Sequence, residues 1–311
     1  MISYFTHSQV DKSRWDDCIG QAANRRVYAF SWYLDIVSPG WEALVKDDYQ
    51  AVFPLTCRRK FGISYLAQPY FAQQLGVFSH EPVSEAHVRQ FLHAIPGHFR
   101  LAEIRLNAMN PVRGNMEGVS SRLNHELDLK PAYEEIAAGY SQNVKRNLRK
   151  ARECGIDVRS GLEAGEVIRL FRETYGRREG KLRAHHYTVL EKLVGCCFEH
   201  KPGRMLGSFT GKGDLSAAAF FLDDRDRSYF LLAASAPEAR ENGAMFILID
   251  RFIHAGAGRN QVLDFEGGHD PRLGRFYKSF GAAEISYPEI KIGRLPLPVD
   301  QGLKLWRKLR K

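Results

Sequence analysis

Apolar residues recur along this chain with two periods, and the switches between them mark its elements. In the first 130 residues, helical spacing predicts helices over 13–23 and 31–37, the second stopped by Ser38-Pro39-Gly40. Strand patterns over 41–45, 51–58 and 63–66 are separated by polar turns, the first at Asp47-Asp48. Val88, Phe91, Leu92 and Ile95 share one face of a helix predicted over 84–94, which Pro96-Gly97 ends. Strands over 101–106 and 122–129 follow.

From Pro131 the pattern starts again. Helices are predicted over 132–140 and 143–154, with Gly155 as the stop of the second, then a short strand over 156–159. Val167, Leu170, Phe171, Thr174 and Tyr175 predict an amphipathic helix over 166–178, and another helix covers 187–198. Strands over 204–210, 215–222 and 228–234 are joined by the turns 211–214 and 223–227. A helix over 244–256, a strand over 261–266, a helix over 271–280 and a strand over 284–290 complete the series. Both halves thus show hairpin strands, a helix and further strands. The expected class is α/β (α+β), with a mixed, mostly antiparallel central sheet flanked by helices in each unit. The expected division is 1–130, 131–295 and a basic C-terminal tail, 296–311.

Composition narrows the partners. The 311 residues are 44% hydrophobic and 26% charged, which predicts packed domains. The longest apolar runs, such as 215–222, fall far short of the ~20 residues that span a bilayer. The first residues lack a basic patch followed by an apolar run, so no secretory leader is expected. Cys18, Cys57, Cys154, Cys196 and Cys197 are odd in number and show no zinc-knuckle spacing, so they are expected as reduced thiols. A cytoplasmic location follows, with peripheral contact at the inner membrane face as an open alternative. The net charge of +9 points to an anionic partner.

Several groups could carry chemistry. Asp264 and Glu266 occupy alternate positions of a predicted strand, where a carboxylate is either a general base or half of a salt bridge to Arg251 or Arg275. Lys278 stands among Phe276, Tyr277 and Phe280, either to neutralise developing charge or to cover aromatic surface. Tyr229 and Tyr277 are candidate proton donors to a leaving group, or packing residues. The turn Asn242-Gly243-Ala244 opens a helix directly after a strand, where free N–H groups suit a phosphate. Lys145, Arg146, Arg149, Lys150 and Arg152 form a basic helix suited to phosphates of CoA, tRNA or a lipid-linked sugar, with Asn143 and Asn147 one turn apart on it. His185 and His186 are adjacent and do not share a face, so no metal site is expected. His254 is expected to pack, and His269 is a lesser acid–base candidate beside Gly267-Gly268. The segment 303–311 is basic and amphipathic, a terminal helix or a membrane contact.

Four segments in order carry a family likeness: Ser141 to Ala151 with Gly155 behind it; Tyr229 to Ser235 with its polar turn and helix; Leu263-Asp264-Phe265-Glu266-Gly267-Gly268; and Gly274 to Gly281. They are similar to the Fem-type (FemAB-like) branch of the GNAT acyltransferase superfamily, a bacterial group that includes peptidoglycan aminoacyl ligases. The resemblance covers about half the chain and implies tandem GNAT-like domains, the first a degenerate twin. It implies an N-acyltransferase that moves an acyl or aminoacyl group to an amine acceptor, with cell-envelope biosynthesis as one setting. Acyl-CoA or aminoacyl-tRNA would be the co-substrate, with no tightly bound cofactor. On this reading Glu266 or Asp264 is the base, Lys278 the electrostatic stabiliser and Tyr229 a proton donor. Asn242, Gly243, Ala244, Lys145, Arg146, Asn143 and Arg149 bind the donor. The ligases' helical coiled-coil arm has no counterpart here, nor does the usual glycine-rich acetyl-CoA signature. The competing reading is a non-catalytic binder of nucleic acid or an anionic surface, through the basic helix 143–152 and the tail; a third is a structural partner at the membrane.

Overall fold

The computed structural model describes residues 1–60, 62–112, 118–176, 182–200 and 203–293. The tail 296–311 expected from composition lies outside them. The chain divides into two compact units: Met1–Arg122 with the residues from Ser286 on, and Leu123–Ile285. Lys130, where the pattern placed the joint, lies within the second.

The first unit opens with β1 (Ile2–Phe5), α1 (Lys12–Gln21) and α2 (Ser31–Val37). Asp11 caps α1 by accepting the Arg14 N–H at 3.1 Å, and the helix buries Trp15, Cys18 and Ile19. Next come β2 (Glu42–Lys46), β3 (Ala51–Leu55), β4 (Cys57–Lys60), β5 (Ile63–Ala67) and β6 (Phe78–Ser79). The β2–β3 turn is unusual, because Asp47, Asp48 and Tyr49 all have left-handed φ, at 41°, 63° and 67°. The single strand expected over 51–58 is interrupted at Thr56, whose hydroxyl donates to the Ala67 carbonyl at 2.8 Å. There the chain leaves the antiparallel sheet β1-β2-β3-β6 and pairs instead with β5. Ser84 caps α3 (Glu85–Ala94), and β7 (Phe99–Arg105) then runs parallel to β5. Phe53, Leu55, Leu66, Val88, Phe91, Phe99 and Ile104 form the core between strands and α3, the face predicted for that helix.

β8 (Val119–Asp128) leads into the second unit, with α4 (Tyr133–Ala138), α5 (Gln142–Glu153), β9 (Asp157–Ser160), α6 (Ala164–Phe171) and α7 (Ala184–His200). The helix expected over 166–178 closes as a π-helical turn, Arg172–Gly176. The strands β10 (Gly203–Phe209), β11 (Leu215–Asp224) and β12 (Arg227–Ser235) form an antiparallel meander. A short α8 (Ala239–Asn242), α9 (Ala244–Gly256), β13 (Val262–Asp264), α10 (Pro271–Lys278) and β14 (Ala283–Gly293) follow. β14 ends in the first unit, where Glu289–Gly293 pairs antiparallel with β7.

Strand side chains alternate between two cores. Ala217, Ala219, Phe221 and Phe230 face α5 and α9, in a core that includes Val144, Leu148, Leu248, Phe252 and Phe265. The opposite face meets α6, which packs on β11, β12 and α7. The second unit therefore has a mostly antiparallel sheet with one parallel strand pair, β12/β13, whereas the strands of the first are divided between the antiparallel β1-β2-β3-β6 and a second set that holds its parallel pair, β5/β7.

Candidate active site

The parallel pair in the second unit is short. β12 and β13 are in register only at Arg227–Val262, Ser228–Leu263 and Tyr229–Asp264. β12 continues six residues further, to Ser235, while β13 stops at Asp264. Beyond that point the chain stays with β8, since the Phe265 N–H donates to the His125 carbonyl at 3.0 Å. Pairing between β12 and the chain after β13 thus ends at the carboxyl ends of two parallel strands, the position at which open α/β sheets accept ligands. β12 also carries a bulge: Phe220 pairs with Leu232 and Phe221 with Phe230, leaving Leu231 extra just beyond the end of the parallel pair.

A buried polar lattice holds the 265–268 segment. Asp264 is fully buried. Its Oδ1 accepts from Asn124 Nδ2 at 2.8 Å and from the Glu266 N–H at 2.9 Å, and its Oδ2 accepts from Arg227 at 2.9 Å. Arg227 also pairs with Glu126 at 2.8 Å. Burial pulls the Arg227 pKa down, but the carboxylates of Asp264 and Glu126 outweigh it and hold the pKa above its ordinary value. Asn124 Oδ1 accepts the Gly267 N–H at 2.9 Å, and His125 Nδ1 donates to the Gly267 carbonyl at 3.0 Å. A Cβ at Gly268 (φ +114°) would collide with the His125 ring, so only glycine admits the ring there.

This lattice separates the two carboxylates grouped by strand alternation. Glu266 does not lie on the strand: its φ is +52°, and β13 has already ended. It is half-buried, and its charge helps raise the pKa of the Cys197 thiol on α7, after burial and Cys196. Asp264 pairs with Arg227, not with the Arg251 or Arg275 considered from sequence. Lys278, half-exposed, pairs with Glu284 at 2.7 Å, and the Lys278 hydrogen bond holds the Glu284 carboxyl below its usual range. His125 Nε2, buried and without a hydrogen-bond partner among the described residues, stands 3.9 Å from the same carboxylate. Tyr229 is buried at the last residue pair before the strands part, on the face opposite Phe230. Tyr277 stacks on Phe265 with ring centroids 4.5 Å apart.

The turn at 242–244 is a self-capped helix start. Asn242 Oδ1 accepts the Ala244 N–H at 3.0 Å, and its Nδ2 donates to Ser216 Oγ at 2.8 Å. Gly243 is needed for a close approach to protein rather than to a ligand: at φ +72° its Cβ would sit 2.5 Å from the Asn147 carbonyl of α5. The basic residues of α5 are arranged differently. Lys145, Arg146, Arg149, Lys150 and Arg152 are all exposed. Their hydrogen bonds are local: Lys145 to the Ala138 carbonyl at 3.2 Å and Arg146 to Asn143 Oδ1 at 2.8 Å. Asn143 thus serves its own helix. His254 packs edge-on to Tyr133, and His269 is exposed. Cys196, Glu199 and His200, on one face of α7, bring ligand atoms within 4.8 Å of one another, a grouping that weighing the two adjacent histidines passes over.

Comparison with known proteins agrees with the fold. Residues 138–279 match the acetyltransferase (GNAT) domain family. A FemX crystal structure superposes with a TM-score of 0.60 at 12% identity, over 94% of this chain and 98% of that one. The chain has the fold of the Fem-type branch of the GNAT superfamily. This Fem-type fold also superposes on a conserved protein of unknown function from Bacteroides thetaiotaomicron (TM-score 0.58, 11% identity, 93% and 99% of the two chains). A third similar structure is L-PGS from Bacillus licheniformis (TM-score 0.51, 10% identity, 96% of each). Among curated proteins the chain has no match.

Proposed function

We propose that the protein is an N-acyltransferase that moves an acyl or aminoacyl group from an activated donor to an amine, with the reaction centred where the β12/β13 pair ends. The observation that carries this reading is the ending itself: a parallel pair that stops after three residue pairs, with its loop fixed by Asn124, Asp264 and His125. In the reaction the amine nitrogen attacks the donor carbonyl. The C–N bond forms, and the C–S or C–O bond to the leaving group breaks. The amine's proton passes to Glu266 and from there to the departing sulfur or oxygen, which leaves as the thiol or alcohol, and Lys278 faces the negative charge that develops on the carbonyl oxygen. Asp264 keeps the loop in place and takes no proton.

The donor's phosphates are assigned to the exposed cations of α5 rather than to the 242–244 turn. Asn242 already occupies the Ala244 N–H, and Gly243 packs against α5. This favours a donor with an extended phosphate backbone over one anchored by a single pyrophosphate, so aminoacyl-tRNA ranks ahead of acyl-CoA. A cytoplasmic setting and an amine of a cell-envelope precursor as acceptor belong to the same proposal.

The experiment is a transfer assay with labelled acyl-CoAs and charged bulk tRNA against a panel of amines, run beside Glu266→Gln and Lys278→Ala. Transfer that drops by about 100-fold or more in Glu266→Gln supports the assignment. Transfer by Glu266→Gln at the parent rate would remove Glu266 from the chemistry, and no transfer from any donor would favour a binding role.

A further inference from the structure

Arg26 presents a buried charge with no anion beside it among the described residues. It lies in the loop between α1 and α2, retains 5% of its surface, and donates through NH1 to the neighbouring Arg25 carbonyl at 2.9 Å. Its Nε is buried without a hydrogen-bond partner, and no carboxylate pairs with it among the described residues. Two residues earlier, Asn24 is 3% exposed. Its Nδ2 donates to the Val77 carbonyl at 2.7 Å, but its Oδ1 receives no donor among the described residues. These are the two orphaned buried side-chain atoms of the first unit among the described residues.

The polar groups around Asn24 are satisfied. Asn110 accepts the Val77 N–H at 2.8 Å and donates to the Val77 carbonyl at 2.9 Å. Gln74, fully buried, accepts the Ala108 N–H at 2.9 Å, and Asn107 donates to the Asn24 carbonyl. These bonds fix the chain that leaves β5 and β7, the parallel pair of this unit, just beyond its carboxyl ends. That is the position at which such sheets leave room for a ligand. A buried guanidinium without a counter-charge is a heavy burden on a marginally stable fold. A trapped water can satisfy Nε and Oδ1 but supplies no negative charge.

We propose that the first unit carries a binding site of its own, in which Arg26 receives the oxyanion of a small molecule, carboxylate or phosphoryl, and Asn24 accepts from an adjacent O–H or N–H. The planar fork of arginine suits both oxyanions. The site is independent of the transfer reaction assigned to the second unit, and its test requires no turnover.

Thermal melts of the full chain in chloride, phosphate, acetate and glycolate at one ionic strength provide that test, on the parent, Arg26→Met and Arg26→Gln. The parent should gain roughly 3 °C when an oxyanion is present at about ten times its Kd. Arg26→Met should melt in chloride at or above the parent temperature, since it removes an uncompensated buried charge, and should lose the oxyanion response. If Arg26→Met does not fold, loss of the response in Arg26→Gln carries the same meaning. Absence of any oxyanion effect on the parent overturns the proposal. So does an Arg26→Met or Arg26→Gln protein that keeps the full response. Glycolate should stabilise more than acetate; equal effects remove Asn24 from the site.

Discussion

Exchanging Asp264 for asparagine removes one negative charge and adds an N–H donor at a fully buried position. At 2.9 Å, with an effective dielectric constant of about 20, the gross attraction between Asp264 and Arg227 is about 6 kcal/mol. Desolvation of both ions offsets much of it, and removing one partner of such a pair costs about 3–5 kcal/mol net. Glu126 remains bound to Arg227 at 2.8 Å, so the cation is not stranded and the lower end, about 3 kcal/mol, is expected. For a unit of this size that is a fall of roughly 6–12 °C in Tm. Urea unfolding should be followed by far-UV circular dichroism, because Trp15, Trp32, Trp41 and Trp306 all lie outside 123–285. Glu266→Gln, beyond the end of the strand and half-buried, should stay within about 0.5 kcal/mol of the parent. A loss below about 0.5 kcal/mol for Asp264→Asn would refute the claim that this carboxylate anchors the loop.

Three further outcomes follow from the packing. Gly243→Ala should lose about 2–3 kcal/mol, from the left-handed φ of +72° and the contact with the Asn147 carbonyl; a melt at the parent temperature would contradict it. Burial pulls the Glu289 pKa up, but the hydrogen bond from Arg122 and the charges of Arg122, Lys291 and Arg105 outweigh it and hold the pKa below 4.5. Its stabilising contribution is therefore present above pH 4.5 and lost as pH falls through the lower folded-state value. Glu289→Gln should lower stability near neutral pH and flatten this acid limb in urea titrations from about pH 3 to about pH 7; parallel curves would count against it. Burial pushes the Cys18 thiol up to about 12, and Cys197 is raised by burial, Cys196 and Glu266, whereas Cys154 is exposed. An aromatic disulfide reagent at about pH 8 should label Cys154 rapidly and reach Cys18 and Cys197 only after unfolding; a single native phase for all five would refute that ordering.

The fold was largely legible because its signals are local. The 3.6-residue spacing of Val88, Phe91 and Leu92 and the break at Gly155 each depend on neighbours within a turn or two, and both match the observed elements. Asp264 and Glu266 were misaligned because the end of β13 is set from a distance, by Asn124 on β8 drawing residues 266–267 out of strand geometry. Arg227 and His125 gave no warning: the first sits in a charged turn pattern and the second in an ordinary strand pattern, and their importance comes from partners 37 and 142 residues away. The 242–244 turn looked like a phosphate cradle because a glycine before a helix has the same sequence whether its open side meets a ligand or another helix. Arg26 is harder still, since its distinguishing property is a missing counter-ion, which no local pattern encodes.

The path of β14 bears on how the protein is made. Arg105 of β7 pairs with Glu289, 184 residues later, and Ile290 from the same strand enters the first unit's core. A ribosome therefore emits nearly the whole first unit and must then synthesise all of the second before β7 gains its last neighbour. At roughly 5–20 residues per second, that strand edge stays open for on the order of ten seconds or more. During this interval the second unit, whose segments are contiguous in sequence, can fold first. The order of maturation would then run opposite to the order of synthesis, with the N-terminal unit closing last around a strand delivered from the far end of the chain.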